Sequence, residues 1–466
     1  MHTAGSPWLT NTKKYSQSDM RILHYSLGFP PYRSGGLTKF CMDLMRQQVS
    51  NGHDVGLLWP GKISLLSSEV RVAYRGTKQY NGAKICSFEL INPLPVPYDE
   101  GITDYERFTA NCDESIYRAF LNSFAPDVIH IHTFMGLHES FFKAAKEMGI
   151  RMTYTTHDYF PICPKVTMFR KGGLCTCVDS CKECSSCNKT ALNLNEIKIL
   201  QSPMYRLIKD TSVIKPLRKQ HRNSFFMDDN KESAYVKTDS NCDYQKLREY
   251  YKRLLEYSDI VHFNSTVAQD IYTKYFGDIK GCVIGLSHSD IKDKRKKKNF
   301  SDDMIRMRYL GNYSGAKGFP FLKQTLDRLW ETKKNFHLDI HFDCPGENEY
   351  ITTNDRYTYS DFESIFDSTD ILIVPSLWYE TFGFTVLEAL SFGVPVIITD
   401  RVGAKDLLSE GSGIVVDLSD KEDLYKILDK LDANQLAECN DHIVKHQHIM
   451  LMNEVAESIE RYVYGW

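Results

Sequence analysis

Strand-like and helix-like segments alternate along this chain in two separate runs, and that alternation limits the possible folds more than any single motif. The first run opens with RILHYSL (Arg21–Leu27) and the glycine-containing stretch GFPPYRSGG. LTKFCMDLMRQQVSNG follows, with Leu37, Phe40, Cys41, Leu44 and Met45 at helical spacing. DVGLLWP, DVIHIHT (Asp127–Thr133), a helix over His138 to Glu147 and RMTYTTH (Arg151–His157) continue the series. Short strand–helix–strand steps require right-handed crossovers and a parallel sheet.

The pattern stops over residues 158–243, which are polar, weakly periodic and rich in cysteine. It resumes with a helix over Tyr244 to Tyr257, the strand-like DIVHFNS, and another helix reaching Phe276. A second run then contains IRMRYLG, a helix from Gly318 to Trp330, HLDIHF, DILIVPS, a helix from Phe384 to Phe392, VPVIITD and GIVVD. The expected organisation is a polar extension (1–20), a first α/β domain (21–290) with an insertion at its rim (158–243), and a linker (291–300). A second α/β domain (301–450) and a terminal helix (451–466) packing back on the first domain complete it. A length of 466 residues suits two such domains. The cleft between them is the expected ligand site.

Charge narrows the function. Lys and Arg total 57 against 60 Asp and Glu, so the basic excess of a dedicated nucleic-acid binder is missing. No stretch approaches the roughly 18 apolar residues of a transmembrane helix. The first twenty residues lack the apolar core of a secretory signal, and a cytoplasmic protein is expected. Positive charge is local: Lys292, Lys294, Arg295, Lys296, Lys297 and Lys298 fall within seven residues, as expected of a solvated linker face. Residues 201–225 hold six cations (Arg206, Lys209, Lys215, Arg218, Lys219, Arg222) against Asp210, which fits either a solvated surface or contact with an anionic membrane.

The segment with most chemical content is PSLWYETFGFTVLEALSFGVPVIITD, residues 375–400. A strand leads into a loop holding Glu380 and Gly383, then into a helix carrying Glu388. Ligands of parallel sheets bind beyond the carboxyl ends of the strands, where this loop sits. Gly383 lets a ligand approach the backbone, and the amides around Phe384 and Thr385 suit a phosphate. Glu388 falls one turn into the helix and could face the same cleft as Glu380. The alternative is that both glutamates merely complement the helix dipole.

Glu380 and Glu388 form an E-x7-E pair in a segment that resembles the donor-sugar motif of the retaining, GT-B-fold glycosyltransferase family 4. GFPPYRSGG resembles that family's N-terminal glycine loop, NGHDVGLLWPG its second strand, APDVIHIHT and YTTHD its fourth and fifth strand ends. SDIVHFNSTVAQDIY resembles the end of its N-terminal domain, and YLGNYSGAKGF its donor-phosphate loop. The resemblance implies two facing Rossmann-like domains with mainly parallel sheets, the first on the acceptor side and the second binding the donor. It implies transfer of a sugar from a nucleotide-diphosphate donor to an acceptor hydroxyl, with no catalytic metal. The acceptor would be a carbohydrate or a lipid-linked glycan of polysaccharide or glycoconjugate synthesis, with peripheral membrane contact in the lipid-linked case. By the same resemblance Gly35 and Gly36 approach the diphosphate and Lys317 neutralises its charge. Glu380 lies at the donor sugar, Glu388 at the ribose, and His157 near donor and acceptor. Gly311 opens the phosphate loop, but Asn312 stands where an arginine is usual, and an amide lacks its fixed charge and fork. Arg33 or Arg308 would then be a substitute cation. The same fold also serves nucleotide-sugar epimerases and non-catalytic nucleotide-sugar-binding proteins. His130 and His132 are expected to be packing residues.

Six of the thirteen cysteines lie between Cys163 and Cys187. Cys175, Cys177, Cys181, Cys184 and Cys187 include two successive C-x2-C steps, a spacing that suits a structural zinc ion. Reduced thiols, or redox or iron–sulfur chemistry, are the other readings.

Overall fold

The computed structural model describes residues 19–64, 67–170, 172–175, 181, 183–208, 211, 242–344 and 348–466. Its N-terminal sheet contains β1 (Arg21–Tyr25), β2 (Asp54–Pro60), β3 (Arg71–Tyr80), β4 (Ala83–Ile91), β5 (Val128–Ile131) and β6 (Arg151–Thr156). A small hairpin, β7 (Phe169–Arg170) and β8 (Gly173–Leu174), stands apart, and β9 (Ile260–Phe263) and β10 (Gly281–Val283) complete the sheet. The strand order is β10-β9-β6-β5-β1-β2-β4-β3, parallel throughout except for the β3–β4 pair. The second sheet holds β11 (Ile305–Arg308), β12 (Phe336–Ile340), β13 (Ile351–Thr353), β14 (Ile371–Val374), β15 (Val396–Thr399) and β16 (Gly413–Val416). It is wholly parallel, in the order β13-β12-β11-β14-β15-β16. The chain is therefore α/β with two mainly parallel sheets.

The helix α1 (Gly36–Ser50) buries Phe40, Cys41, Leu44 and Met45 against the first sheet, as the apolar spacing requires. The β3–β4 hairpin was absent from the expected elements. Its turn is Asn81–Gly82, both with positive φ, the two-residue turn that matches strand twist.

Three placements differ from expectation or add to it. Tyr159, Phe160, Ile162 and Met168 are buried in the N-terminal core, so the cysteine-bearing segment begins inside the domain body rather than at its rim. The basic stretch is a solvated face, as expected, with Lys292, Lys294, Lys296 and Lys297 exposed, but it also straps the second domain. Lys294 pairs with Glu363, Lys296 with Asp367 and Lys297 with Asp441. Arg295 donates to the carbonyls of Ile443 and Gln447, and Lys298 to that of Phe366. Third, the last turn is wider than an α-helix: Met452–Ser458 is α-helical and Ile459–Tyr464 is a π-helix. Met452, Val455, Ile459, Val463 and Tyr464 pack with Ile22, Phe40, Leu44 and Val128 of the first domain. Arg151 donates to the carbonyl of Val463.

Among the described residues, no helix is long and apolar enough to cross a membrane.

Candidate active site between the two sheets

The loop after β14 meets the end of β6 across the domain boundary. Thr381 Oγ1 donates to the carbonyl of His157 at 2.9 Å, and Ser265 Oγ donates to the carbonyl of Thr381 at 2.5 Å. Thr266 is bound to Asp406 through both its amide and its hydroxyl, at 2.6 Å each. These bonds hold His157, which lies just past β6, beside the loop that carries Glu380.

Lys317 and Glu380 form an ion pair through Glu380 Oε1, and Ser376 Oγ donates to Glu380 Oε2 at 2.5 Å. The Lys317 side chain is 34% exposed and that of Glu380 12%, so a ligand can reach the ammonium. Both residues are held by their backbones. Glu380 N–H donates to the Arg401 carbonyl and its own carbonyl accepts from Gly403. Lys317 precedes Gly318, which has φ +75° and no room for a side chain: a Cβ there would lie 1.7 Å from the Pro375 carbonyl oxygen. That packing brings the loop after β11 against the loop after β14. Ser376 and Trp378, whose ring lies 5.2 Å from Lys317 Nζ, were not singled out from sequence although both lie in the PSLWYE stretch.

The glycine loop faces the same place. Gly35, with φ +105°, caps α1, and a Cβ on Gly36 would lie 3.3 Å from the Phe384 ring of the opposite domain. Gly383, with φ +104°, precedes the helix Phe384–Leu390, on whose first turn Thr385 stands. Gly311 packs on Tyr309, where a Cβ would meet the phenol oxygen at 2.3 Å. Asn312 is exposed, and its carbonyl accepts from the same Tyr309 hydroxyl at 2.8 Å.

Glu388 is buried, and its Oε1 accepts from His288 Nε2 at 3.1 Å. His288 Nδ1 accepts the amide of Asp290 at 3.3 Å, which fixes the tautomer that donates to Glu388. His288 had no sequence signal, since it stands 100 residues from its partner in the connection between the domains.

Neither substitute cation is free to act as Asn312 would require. Arg308 is buried and bonded to Thr369, Ser368, His341 and Asp339. Arg33 donates to the Leu27 carbonyl and Tyr98 hydroxyl and lies against the Tyr32 and Tyr98 rings. His130 and His132 are fully buried in the first sheet.

Of the clustered cysteines, Cys177 lies outside the described residues. Cys181 and Cys184 are hydrogen-bonded to each other, and that bond draws the Cys181 thiol down to about 6. Among the described residues, three metal-ligating atoms come within 4.8 Å of one another at His24, Cys41 and His132 and at Asp43, His288 and Asp290. Among the described residues, Cys163, Cys175, Cys181, Cys184 and Cys187 form no such group.

Comparison with known proteins matches residues 34–174 to glycosyltransferase family 4 and residues 290–447 to glycosyl transferases group 1. An uncharacterized 42.6 kDa protein in the cps region of Klebsiella pneumoniae is 23% identical over 88% of this chain and 92% of its own length. A 41.2 kDa protein of the same region is 24% identical over 32% of this chain. This chain spans less than half the length of several curated relatives: 43% of that 41.2 kDa protein, and 12% and 23% of Arabidopsis thaliana sucrose synthases 6 and 5. Among solved structures, Anabaena Alr3699/HepE in complex with UDP and glucose aligns with a TM-score of 0.54 at 13% identity, covering 96% of this chain and all of the other. The two matched regions take in both sheets and the loops that meet between them, so the chain carries the GT-B fold with a glycosyltransferase family 4 region in its first half and a glycosyl transferases group 1 region in its second.

Proposed function

We propose that this chain transfers a sugar from a nucleotide-diphosphate donor to a hydroxyl of a carbohydrate acceptor, with retained anomeric configuration. The observation that carries the reading is the Lys317–Glu380 pair, oriented by Ser376 and set beside His157 through Thr381. In the reaction the bond between the anomeric carbon and the diphosphate oxygen breaks, and that oxygen keeps the electron pair. The acceptor oxygen bonds to the same carbon on the same face, and its proton passes to the departing diphosphate.

Lys317 meets the charge that develops on the leaving group, the place where a fixed cation lowers a barrier most. A diphosphate would draw Lys317 from Glu380, whose carboxylate then accepts from hydroxyls of the donor sugar. The pair can exchange because the Lys317 ammonium stays within reach of a ligand and a diphosphate carries more charge than one carboxylate. Glu388, with Oε1 held by His288, would offer Oε2 to the ribose. Gly35, Gly36, Gly383 and the amides of Phe384 and Thr385 would let the diphosphate lie close to the backbone. With Asn312 uncharged and Arg308 committed elsewhere, Lys317 carries most of the neutralisation.

The HepE neighbour, solved with UDP and glucose, makes UDP-glucose the first donor to try. The relatives in a cps region point to polysaccharide synthesis as the setting. A lipid-linked acceptor is the finer reading: the exposed side chain of Ile199 borders the basic stretch 201–225 and those of Met204 and Ile208 lie within it, most of the stretch being outside the described residues. Co-sedimentation with anionic vesicles but not neutral ones would support it, and equal partition would remove it. The main test is turnover of a panel of nucleotide-diphosphate sugars with carbohydrate acceptors. Transfer of at least one donor sugar is expected, and its absence across the panel would refute the proposal.

A further inference from the structure

His157, itself partly buried, is one end of an unbroken series of hydrogen bonds that runs through the buried interior of the first domain. Its Nε2 lies 3.0 Å from His132 Nδ1, and His132 Nε2 lies 3.0 Å from His24 Nδ1. His24 Nε2 is 2.7 Å from Gln48 Oε1 on α1, and Gln48 Nε2 donates to the Tyr464 hydroxyl at 3.0 Å. Tyr464 is 2.6 Å from His130 Nδ1, and His130 Nε2 is 2.6 Å from Thr155 Oγ1. Thr155 is 2.9 Å from His262 Nδ1, and the series ends where His262 Nε2 meets the main-chain carbonyl of Ile284 at 2.8 Å. The sheet register makes the series possible. His24 stands level with His130 on neighbouring strands and Thr155 level with His262, while His132 follows His130 on the same face.

All five imidazoles are held neutral by burial, which pushes His24 and His262 down to about 4, His157 to about 3, and His130 and His132 well below their ordinary range. A neutral imidazole donates from one nitrogen and accepts at the other, and a carbonyl can only accept. Every proton in the series is then determined from the Ile284 end. His262 must carry its hydrogen on Nε2, so Nδ1 accepts from Thr155. Thr155 in turn accepts from His130 Nε2–H, leaving His130 Nδ1 to accept from Tyr464. Tyr464 accepts from the Gln48 amide nitrogen, so Gln48 turns its oxygen to His24. His24 donates from Nε2 and accepts at Nδ1, and His132 does the same. His157 is left with its hydrogen on Nε2. The reversed series would set the lone pair of His262 Nε2 against the Ile284 carbonyl oxygen. Such assignments follow from the whole network rather than from any one contact.

We infer that the Ile284 carbonyl fixes His157 as the Nε2–H tautomer, so that His157 presents a lone pair on Nδ1 and recognises a hydroxyl that donates to it. No described residue hydrogen-bonds to Nδ1. His157 therefore accepts from a ligand hydroxyl and supplies neither a proton nor a positive charge to a phosphate. That the hydroxyl belongs to a donor or acceptor sugar rests on the function proposed above; the tautomer itself does not. His132, His24, Gln48, Tyr464, His130, Thr155 and His262 are positioning residues for it.

The test is 15N NMR of the full chain labelled at histidine, with the His157 signals assigned by their loss in His157→Gln. The expected spectrum shows one His157 tautomer at neutral pH, protonated at Nε2 and bare at Nδ1. Tyr464→Phe removes one hydroxyl separated from His157 by three side chains, and Thr155→Val decouples His262 from the rest. Each frees the Gln48 amide to turn, so both tautomers of His157 are expected in comparable amounts. A purely structural role for these hydroxyls would leave the His157 signals unmoved. Protonated Nδ1 in the unsubstituted chain, or a single unchanged tautomer in both variants, would overturn the inference. Since the readout needs no turnover, a failure of the proposed transfer reaction is seen separately in the donor panel.

Discussion

In the first sheet and at its cleft end, five histidines, four of them buried and His157 partly so, are neutral and joined in one hydrogen-bonded series through Gln48, Tyr464 and Thr155. At the facing end of the second sheet, Lys317 and Glu380 are charged and reachable from solvent. One side is a rigid polar floor whose hydrogen bonds are all committed but one; the other is an ion pair that a diphosphate can open. The contrast matches the labour of a group transfer, in which charge develops on the leaving group while the incoming hydroxyl only needs to be placed.

Protons should break the neutral side, with the largest effect. The folded pKa values of His24, His130, His132, His138, His157 and His262 all lie below the ordinary imidazole value, lowered by burial. The unfolded chain therefore binds protons first as pH falls through about 6.5, and each histidine withdraws up to about 1.4 kcal/mol of stability per pH unit below it. The contribution is fully present above that pH and is lost progressively as pH falls, to about 4 for His24, His138 and His262 and to about 3 for His157. Urea melts should show a steep fall in midpoint between pH 6.5 and 5, and a flat profile there would contradict the buried neutral row.

Substitution should break the charged side. Lys317→Ala and Glu380→Gln are each expected to lower kcat/KM by about 10²–10³, the range for removing one fixed group aimed at developing charge. Circular dichroism spectra should stay unchanged. Gly318→Ala should act through the fold: the positive φ and the Pro375 carbonyl together make it cost about 3 kcal/mol, measured by denaturant unfolding. Lys297→Ala sets the lower limit. Its pair with Asp441 is exposed, and a change below about 0.5 kcal/mol is expected.

Much of this contrast was legible in the residues, unevenly between the two sides. The charged side lies in two short stretches, SGAKG and PSLWYETFG, and although Lys317 and Glu380 stand 63 residues apart, the family resemblance of each stretch points to both. The neutral side is scattered. His130 and His132 stand out on their strand, but their roles depend on His24, Gln48, His262 and Tyr464, as far as 334 residues away in sequence. Only the strand register and the return of the C-terminal turn bring these together. The strap at 291–300 was legible in part for a related reason: the run of cations is solvated as it reads, but the carbonyls and carboxylates it meets lie elsewhere in the chain. The β3–β4 hairpin is different, because its Asn81–Gly82 turn was visible and the flanking alternation too weak to draw attention.

The most direct test of the account is donor turnover by the Lys317→Ala/Glu380→Gln double variant, measured beside the two single variants. If the pair works as one unit on the departing diphosphate and its sugar, the double variant should lose about as much as the worse single variant, roughly 10²–10³-fold. A double variant that turns over the donor at the rate of the unsubstituted chain would contradict it.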